Sequence, residues 1–483
     1  MTAELRSDRI SRVLLVALAL LAAARLVSLA FYPLMDMTEA RYADIGRRMA
    51  ASGDWVTPFL DGQRAFWGKP ALSFWATAGS LNLFGVNAWS ARFPHFLMGV
   101  GVAGTVWLHA RGSSRRVAWH AVVLLAGSLV FLLAAGAVMT DMALVLGTTL
   151  VMTGYWLVAG QGHPGLVPRL ALVAGLAIGL LAKGPLALVL CGGPIFVWTL
   201  WRGRWREAWQ RVPWGWGLLA VLVLVLPWYL LAEHRSPGFL RYFIVGEHIE
   251  RFLVRGWTGD LYSNAHGMPR GAIWVFVLVA ALPWALVLPL GRLFGAGLQR
   301  GSLQAGPERG YLLAWALWPC IFFSLAGNIL WTYVLPALPA LALLGAGWTA
   351  LARDPVRIDR LLATVLVLLA LATPALLVFG NRSEQFDRHT LQPLVEAYQR
   401  SAGPGEDLLE VPNVSFSTDF YARGRARPLR YGEDLPEFAA GQVAYMIIPN
   451  DLWENLSPRL RSRLPQVAAT PSHRLVRWPG GPP

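Results

Sequence analysis

Apolar runs too long for any soluble core recur through the first 380 residues, and their length is the strongest constraint on the fold. A helix crossing a hydrocarbon layer of ~30 Å needs ~20 residues, and about eleven runs approach that length. They centre on residues 13–33, 93–110, 117–135, 142–160, 168–182, 184–201, 213–232, 271–291, 310–326, 329–351 and 361–379. Composition agrees, with 55% hydrophobic residues, 14% charged residues and 23 Trp, the balance of a membrane protein. The first run follows "RSDRISR" and lacks a small-residue cleavage site, so it reads as a retained span.

Arginines cluster in alternate connections: the N-terminus, "RGSSRR" at 111, "WRGRWREAWQR" at 201, Arg292 to Arg309, and "ARDPVRIDR" at 352. These segments are expected on the cytoplasmic side. Alternation then puts 34–90, 135–141, 233–270, 326–328 and everything after residue 380 on the opposite side of the membrane. The net charge of +14 is spread over these loops without a soluble basic domain. It reads as topology and contact with anionic lipid, and it argues against a nucleic-acid partner. Cys191 and Cys320 both lie inside apolar runs, which argues against a disulfide framework.

The last hundred residues change character. Short strand-like runs ("DLLEV", "PLRY", "QVAYMIIP", "HRLVRW") alternate with helical spacing in "TLQPLVEAYQRSA" and "DLWENLSPRLRSRL". The expected architecture is an all-α polytopic domain of about 11–13 spans, residues 1–380, followed by a small α/β periplasmic domain, residues 381–483.

The stretch "MDMTEARYADIG", residues 35–46, places two Asp, a Glu and an Arg just beyond the first span. Tyr42, Ile45 and Met49 share one helical face while Arg41, Asp44 and Arg48 share another, the pattern of a short helix lying at the membrane surface. Asp36 and Glu39 have the spacing of a capping box, a role that can coexist with catalysis. After them "ASGDWVTPFLDGQRAFWGKPALSFW" extends the loop far beyond what a connector needs, which points to function.

"DMTEARYADIGRRMAASGDWVTPFLDGQRAFWGKPALSFW" resembles the first periplasmic loop of the polyprenyl-phosphate-sugar-dependent membrane glycosyltransferases, the group of the lipid A aminoarabinose transferases and protein O-mannosyltransferases. "VMTDMAL" around Asp141, "LAKGPLALVL" around Lys183, "PGFLRYFIVGEHIERFLVRGWTGDLYSNAHGMPRGAIW" and "GNILWTYVLPALPALALL" are similar to further segments of that family, over roughly residues 10–350. Two positions depart from its pattern. Thr38 and Glu39 stand where the aminoarabinose transferases have an Asp-Glu pair, and Gly68 precedes Lys69 and Pro70 where they have an acid.

The resemblance implies a type C fold and an inverting enzyme that takes a sugar from a polyprenyl monophosphate, undecaprenyl phosphate in a bacterium. The acceptor it implies is lipid A or another envelope glycan, with protein Ser/Thr as the nearest alternative. Such transfer needs a group to take or orient the acceptor's proton and cations to stabilise the leaving phosphate. Asp36 or Glu39 is expected in the base role, Asp36 ahead because the family's catalytic residue is an Asp, and Asp141 is expected to orient the acceptor or to cap its helix. Arg41 and Lys69 are the expected phosphate ligands, Tyr42 next to Arg41 is expected among the substrate-binding residues, and Lys183 reaches the phosphate or snorkels. In the third loop Glu247 and Arg251 can pair as residues four apart. Arg251 and His248 can instead bind phosphate, and His266 with an acid can hold a divalent ion, the weaker of the two readings. Tyr333 can donate to the donor or anchor the interface. A polytopic lipid transporter without chemistry is the rival class. Transporters place polar groups mid-membrane, whereas here the acids gather in the loops of one side.

Overall fold

The computed structural model describes residues 2–262, 267–293, 307–352, 354–381, 384–430 and 443–479. Helices occupy every expected run. Among the described residues, five helical stretches are long and apolar enough to cross a membrane by length and composition: Asp141–Gly160, Leu166–Lys183, Trp214–Arg235, Trp331–Ala350 and Pro355–Leu377. Thr2–Ser28, Ala88–Ala110, Leu186–Arg202 and Pro307–Ser324 fall on other expected runs. The runs at 117–135 and 271–291 are each broken in two, Arg115–Ala126 with Leu129–Ala134 and Ala272–Ala280 with Trp284–Leu293. Ser128 and Pro283 stand at the breaks, where the helical ladder cannot run on unbroken. Leu218, Leu219 and Val223 on Trp214–Arg235 are all more than half exposed, as a surface facing lipid tails requires.

Inside the bundle, close packing replaces the hydrophobic drive that lipid does not supply. Asp141–Tyr155 crosses Leu166–Lys183 so tightly that a Cβ on Gly147 would sit 2.7 Å from the Gly175 carbonyl oxygen. That crossing fixes the ends of both helices, and those ends carry Asp141 and Lys183.

Two elements lie between the first and second expected spans. Glu39–Ser52 is the expected short helix, but its apolar face does not lie on lipid. Tyr42, Ile45 and Met49 pack with Leu60, Phe66, Phe74 and Leu81, and Phe420 of the C-terminal domain joins the same cluster. The second element, Leu72–Phe84, is a helix where the sequence reading had only loop. Its thirteen residues are too few for a span, and Ser73, Thr77 and Ser80 on its buried side break the apolar signal.

The C-terminal domain is a five-stranded mixed sheet in the order β2-β1-β3-β5-β4. Its strands are β1 (Asp407–Glu410), β2 (Ala426–Pro428), β3 (Ala444–Pro449), β4 (Gln466–Ala469) and β5 (His473–Trp478). β1 pairs in parallel with β2 and β3, while β5 runs antiparallel to β3 and β4. Alternation along β1, β3 and β5 sends Leu408, Tyr445, Ile447 and Leu475 to one face, under Gln392–Ser401. Leu409, Met446, Ile448 and Val476 go to the other, against Trp453. Three strands match the expected runs; β2 lies just upstream of "PLRY", and β4 was not expected because its pattern is mostly exposed. The expected helix at 451–464 splits into Asn450–Asn455 and Pro458–Arg461, since Ser457 caps a new start and Pro458 has no N–H to continue the first.

Candidate active site

The two acids at the start of the first external loop, Asp36 and Glu39, are committed to partners away from the main cavity. Asp36 turns toward the C-terminal domain, where its carboxylate accepts hydrogen bonds from the Ser417 amide (2.9 Å) and the Ser417 hydroxyl. Burial pushes its carboxyl up to about 6, against those hydrogen bonds, which favour the charged form. Glu39 is taken by Arg92, a fully buried guanidinium that donates to both of its carboxylate oxygens (2.8 and 2.7 Å) and to the carbonyls of Leu29, Tyr32 and Pro33. Neither acid forms a capping box: the N-cap of Glu39–Ser52 is Thr38, with no side-chain cap hydrogen bond. The expectation that Asp36 or Glu39 acts as base therefore meets a geometry in which both carboxylates are committed elsewhere. Arg92 and Ser417 claim them because an uncompensated buried charge is costly.

Between them in the chain, Thr38 lines a polar cavity of about 530 Å³ together with Arg41, Tyr42, Lys69, Asp141, Lys183, Glu247, Arg251 and Tyr333. These nine residues arrive from six separate stretches of the chain, each fixed by its own surroundings. Asp141 opens the helix Asp141–Tyr155 and accepts from the Lys183 ammonium at 2.8 Å, so it does not cap that helix. Lys183 closes Leu166–Lys183, and Gly184 at φ +63° turns the chain out of that helix. The Lys183 nitrogen also lies 5.4 Å from the centre of the Tyr333 ring.

The third loop supplies a second ion-pair cluster. Lys69 donates to Glu247 at 3.0 Å, Arg251 donates to the same carboxylate at 3.0 Å, and the Tyr242 hydroxyl reaches it at 3.2 Å. Burial alone would push the Glu247 carboxyl up, but the Lys69 and Arg251 charges win and hold it at about 2. Lys69 shows the counterpart: burial disfavours its charge, and Glu247 more than restores it, so its proton is held more tightly than usual. Arg251 continues to Asp260 at 3.3 Å.

Arg41 differs from the other cations. Its Nη1 donates to the Tyr262 carbonyl at 2.8 Å, and its guanidinium lies over the rings of Tyr42 and Phe66. No carboxylate pairs with it among the described residues. Its Nε and that of Arg251 are buried and have no hydrogen-bond partner. Buried donors of this kind mark a place for an anion.

A second cavity of about 310 Å³ shares Lys69, Lys183, Glu247, Arg251 and Tyr333 with the first, but its other walls are apolar, among them Leu186, Val189, Ile244, Ile249, Phe252 and Phe322. His248 also lines it, with its two ring nitrogens facing main-chain carbonyls, Phe243 at 2.7 Å and Lys183 at 3.0 Å. His266 lies outside the described residues. Among those described, no three His, Cys, Asp or Glu side chains come together as metal ligands do.

Sequence reasoning missed Thr38, Asp260 and Tyr262 as site residues. Asp260 and Tyr262 had one local signal, a side-chain oxygen accepting from the amide two residues on (3.0 Å), the turn that Asp favours. Nothing in the sequence says where that turn points.

The comparisons with known proteins bear on family and fold. A profile of the family described as dolichyl-phosphate-mannose-protein mannosyltransferase matches residues 11–243. The undecaprenyl phosphate-alpha-4-amino-4-deoxy-L-arabinose arabinosyl transferase of Edwardsiella ictaluri is 33% identical over 320 residues, 64% of this chain and 54% of that protein. The protein of the same name from Shewanella sediminis is 33% identical over 324 residues, 66% of this chain and 56% of that protein. The chain thus spans little more than half the length of these relatives. Among solved structures, ArnT from Cupriavidus metallidurans bound to undecaprenyl phosphate superposes with a TM-score of 0.78 at 21% identity, over 97% of this chain and 99% of that one. The archaeal oligosaccharyltransferase AglB from Archaeoglobus fulgidus gives a TM-score of 0.51 at 11% identity. At those identities the structural likeness speaks for the fold alone. Together with the helical bundle and the small mixed-sheet domain, the matches place the chain in the family of polyprenyl-phosphate-sugar-dependent membrane glycosyltransferases, as a multi-pass membrane protein of type C fold.

Proposed function

We propose that this chain moves a sugar from undecaprenyl monophosphate to lipid A, with the aminoarabinose named for its relatives as the sugar carried. The observation that carries the reading is the joining of two cavities of opposite character at one set of cations. A lipid phosphate needs an apolar channel for its chain and a cationic, water-accessible chamber for its headgroup, and Lys69, Lys183 and Arg251 border both. Four cations meet three carboxylates in the polar chamber, which leaves a net positive charge for a phosphate ester.

The chemistry is a single displacement. An acceptor hydroxyl attacks the anomeric carbon, its proton goes to a carboxylate, and the bond from that carbon to the phosphate oxygen breaks, which inverts the configuration and releases undecaprenyl phosphate. Asp141 takes the base role in this reading, because it is the chamber acid of the membrane bundle itself, held ready by a single Lys183 contact. Glu247 is too strongly stabilised as an anion by Lys69 and Arg251 to accept a proton readily. Arg41, Lys69, Lys183 and Arg251 stabilise the phosphate as charge grows on it. Asp36 and Glu39 act as framework. The arginine-rich loops put the chamber on the periplasmic side of the inner membrane, with the N-terminus in the cytoplasm and residues 381–483 as the periplasmic domain.

Purified full-length protein incubated with lipid A and undecaprenyl phosphate-linked aminoarabinose should add one aminopentose to lipid A, read by mass spectrometry. Label appearing on Ser/Thr peptides would move the acceptor to protein, the chemistry named in the matching family's description. Lipid translocated without any transfer would sink the enzymatic reading in favour of a transporter.

A further inference from the structure

We infer that Tyr262 is a positioning residue that sets Arg41 for the donor phosphate, an inference that rests on the donor reading above. Tyr262 joins the two external loops by three independent contacts. Its hydroxyl donates to the Ala65 carbonyl and accepts from the Trp67 amide, each at 2.9 Å, so one phenol ties down both sides of Phe66. Its ring lies 4.7 Å, centre to centre, from the Phe66 ring. Its carbonyl accepts from Arg41, whose guanidinium stands over that same Phe66 ring. Arg41 is therefore gripped from two sides by one structure, and both sides depend on where Tyr262 sits.

The position of Tyr262 is in turn set from the other cationic cluster. The Asp260 carboxylate accepts from the Tyr262 amide with one oxygen and pairs with Arg251 through the other. Arg251, Asp260, Tyr262 and Arg41 form a continuous chain that spans the polar chamber, with a buried and unpartnered guanidinium nitrogen at each end. Two arginines held a fixed distance apart by a rigid bridge lose little side-chain entropy on meeting a phosphate, which is how a preorganised site gains affinity. Arg41 is the cation of the chamber with no carboxylate of its own among the described residues. Its placement is thus the one that phosphate binding senses most.

The test is a double-mutant cycle on the purified full-length protein, with undecaprenyl phosphate as the probe and intrinsic Trp fluorescence as the binding readout. Tyr262→Phe removes only the hydroxyl, and with it both hydrogen bonds that fix Phe66, and should raise the Kd for undecaprenyl phosphate about fivefold, and the donor KM with it. kcat should stay within about twofold. In an Arg41→Ala background the same change should have almost no further effect, because the bridge then has nothing left to position. A purely structural role would lower the unfolding midpoint and add to the Arg41→Ala loss, and that additivity would overturn the inference. An unchanged Kd in Tyr262→Phe overturns it as well. Wild-type protein that fails to bind undecaprenyl phosphate at all would instead overturn the donor reading and this inference with it.

Discussion

Helix Glu39–Ser52 has two charged surroundings, and they are built on opposite plans. At its start, Arg41 faces the chamber with a buried nitrogen that nothing satisfies. One to two turns later, Asp44 pairs with Arg47 (2.6 Å) and Arg48 (2.7 Å), and both arginines continue to Asp419 of the C-terminal domain. With Asp36 on Ser417 and the Leu34 amide on the Tyr421 hydroxyl (2.8 Å), this second surrounding is a closed seam between the two domains. The seam gives each of its arginines a carboxylate, although the Arg47 Nη2 makes no hydrogen bond; the chamber leaves Arg41 without a carboxylate among the described residues. One short helix serves both, so local charge density says little about which acid does chemistry.

The largest effect should separate the chamber from the seam directly. Asp141→Asn keeps an oxygen that can accept from Lys183 but cannot take a proton, and kcat should fall by about 100-fold or more, as for loss of a general base. Asp36→Asn should leave kcat within about threefold. Parallel rate measurements on the two variants check this, and the reverse ranking would return the base role to Asp36.

A second contrast concerns Glu39, which shares the helix start with Arg41 but belongs to the framework. Arg92→Met would leave the Glu39 carboxylate buried without its partner, at a cost of about 3 kcal/mol or more in stability. Detergent-solubilised protein should show this as a lowered unfolding midpoint. Arg92→Met with Glu39→Gln should recover much of the loss, since the charge that needed a partner is gone.

These contrasts also explain what the sequence could and could not disclose. The spans were legible because length and hydropathy are local properties, and the same holds for the helix at 39–52, whose period shows in fourteen residues. The direction each acid faces is not local. Glu39 is decided by Arg92, more than fifty positions on, and Asp36 by Ser417, almost four hundred positions away. Arg41, Lys69, Lys183, Glu247, Arg251 and Tyr333 could be chosen as charged and hydrogen-bonding groups, but their convergence depends on helix crossings such as that at Gly147. Leu72–Phe84 escaped notice for a related reason: its hydroxyl side chains are buried against neighbouring helices, as with Thr77 on His95 at 3.1 Å.

The smallest effect should be a pH dependence of the seam. Asp36 and Glu410 reach the same turn from opposite domains, Asp36 at Ser417 and Glu410 at Ser415. Burial raises Asp36 to about 6, and raises Glu410 to about 7 against hydrogen bonds from Thr418 and Ser415, with the Asp36 charge adding to the rise. Asp44 also disfavours the charged form of Asp36, and His389 favours it. Both carboxyls thus hold a proton in the docked state that they release more readily when exposed. A raised carboxylate pKa gives a contact that is strongest below about 4, where both states are protonated, and weaker as pH climbs through 6 and 7. The loss should be on the order of 1 kcal/mol per group, since water reaches the edge of the seam. Hydrogen exchange at the amides of 407–421 should therefore quicken between pH 5 and pH 8 by more than the intrinsic rate does. Asp36→Asn should flatten that excess by about half while leaving the Ser417 amide an oxygen to meet. An excess that survives in Asp36→Asn unchanged would assign the whole effect to Glu410 and remove Asp36 from the proton linkage.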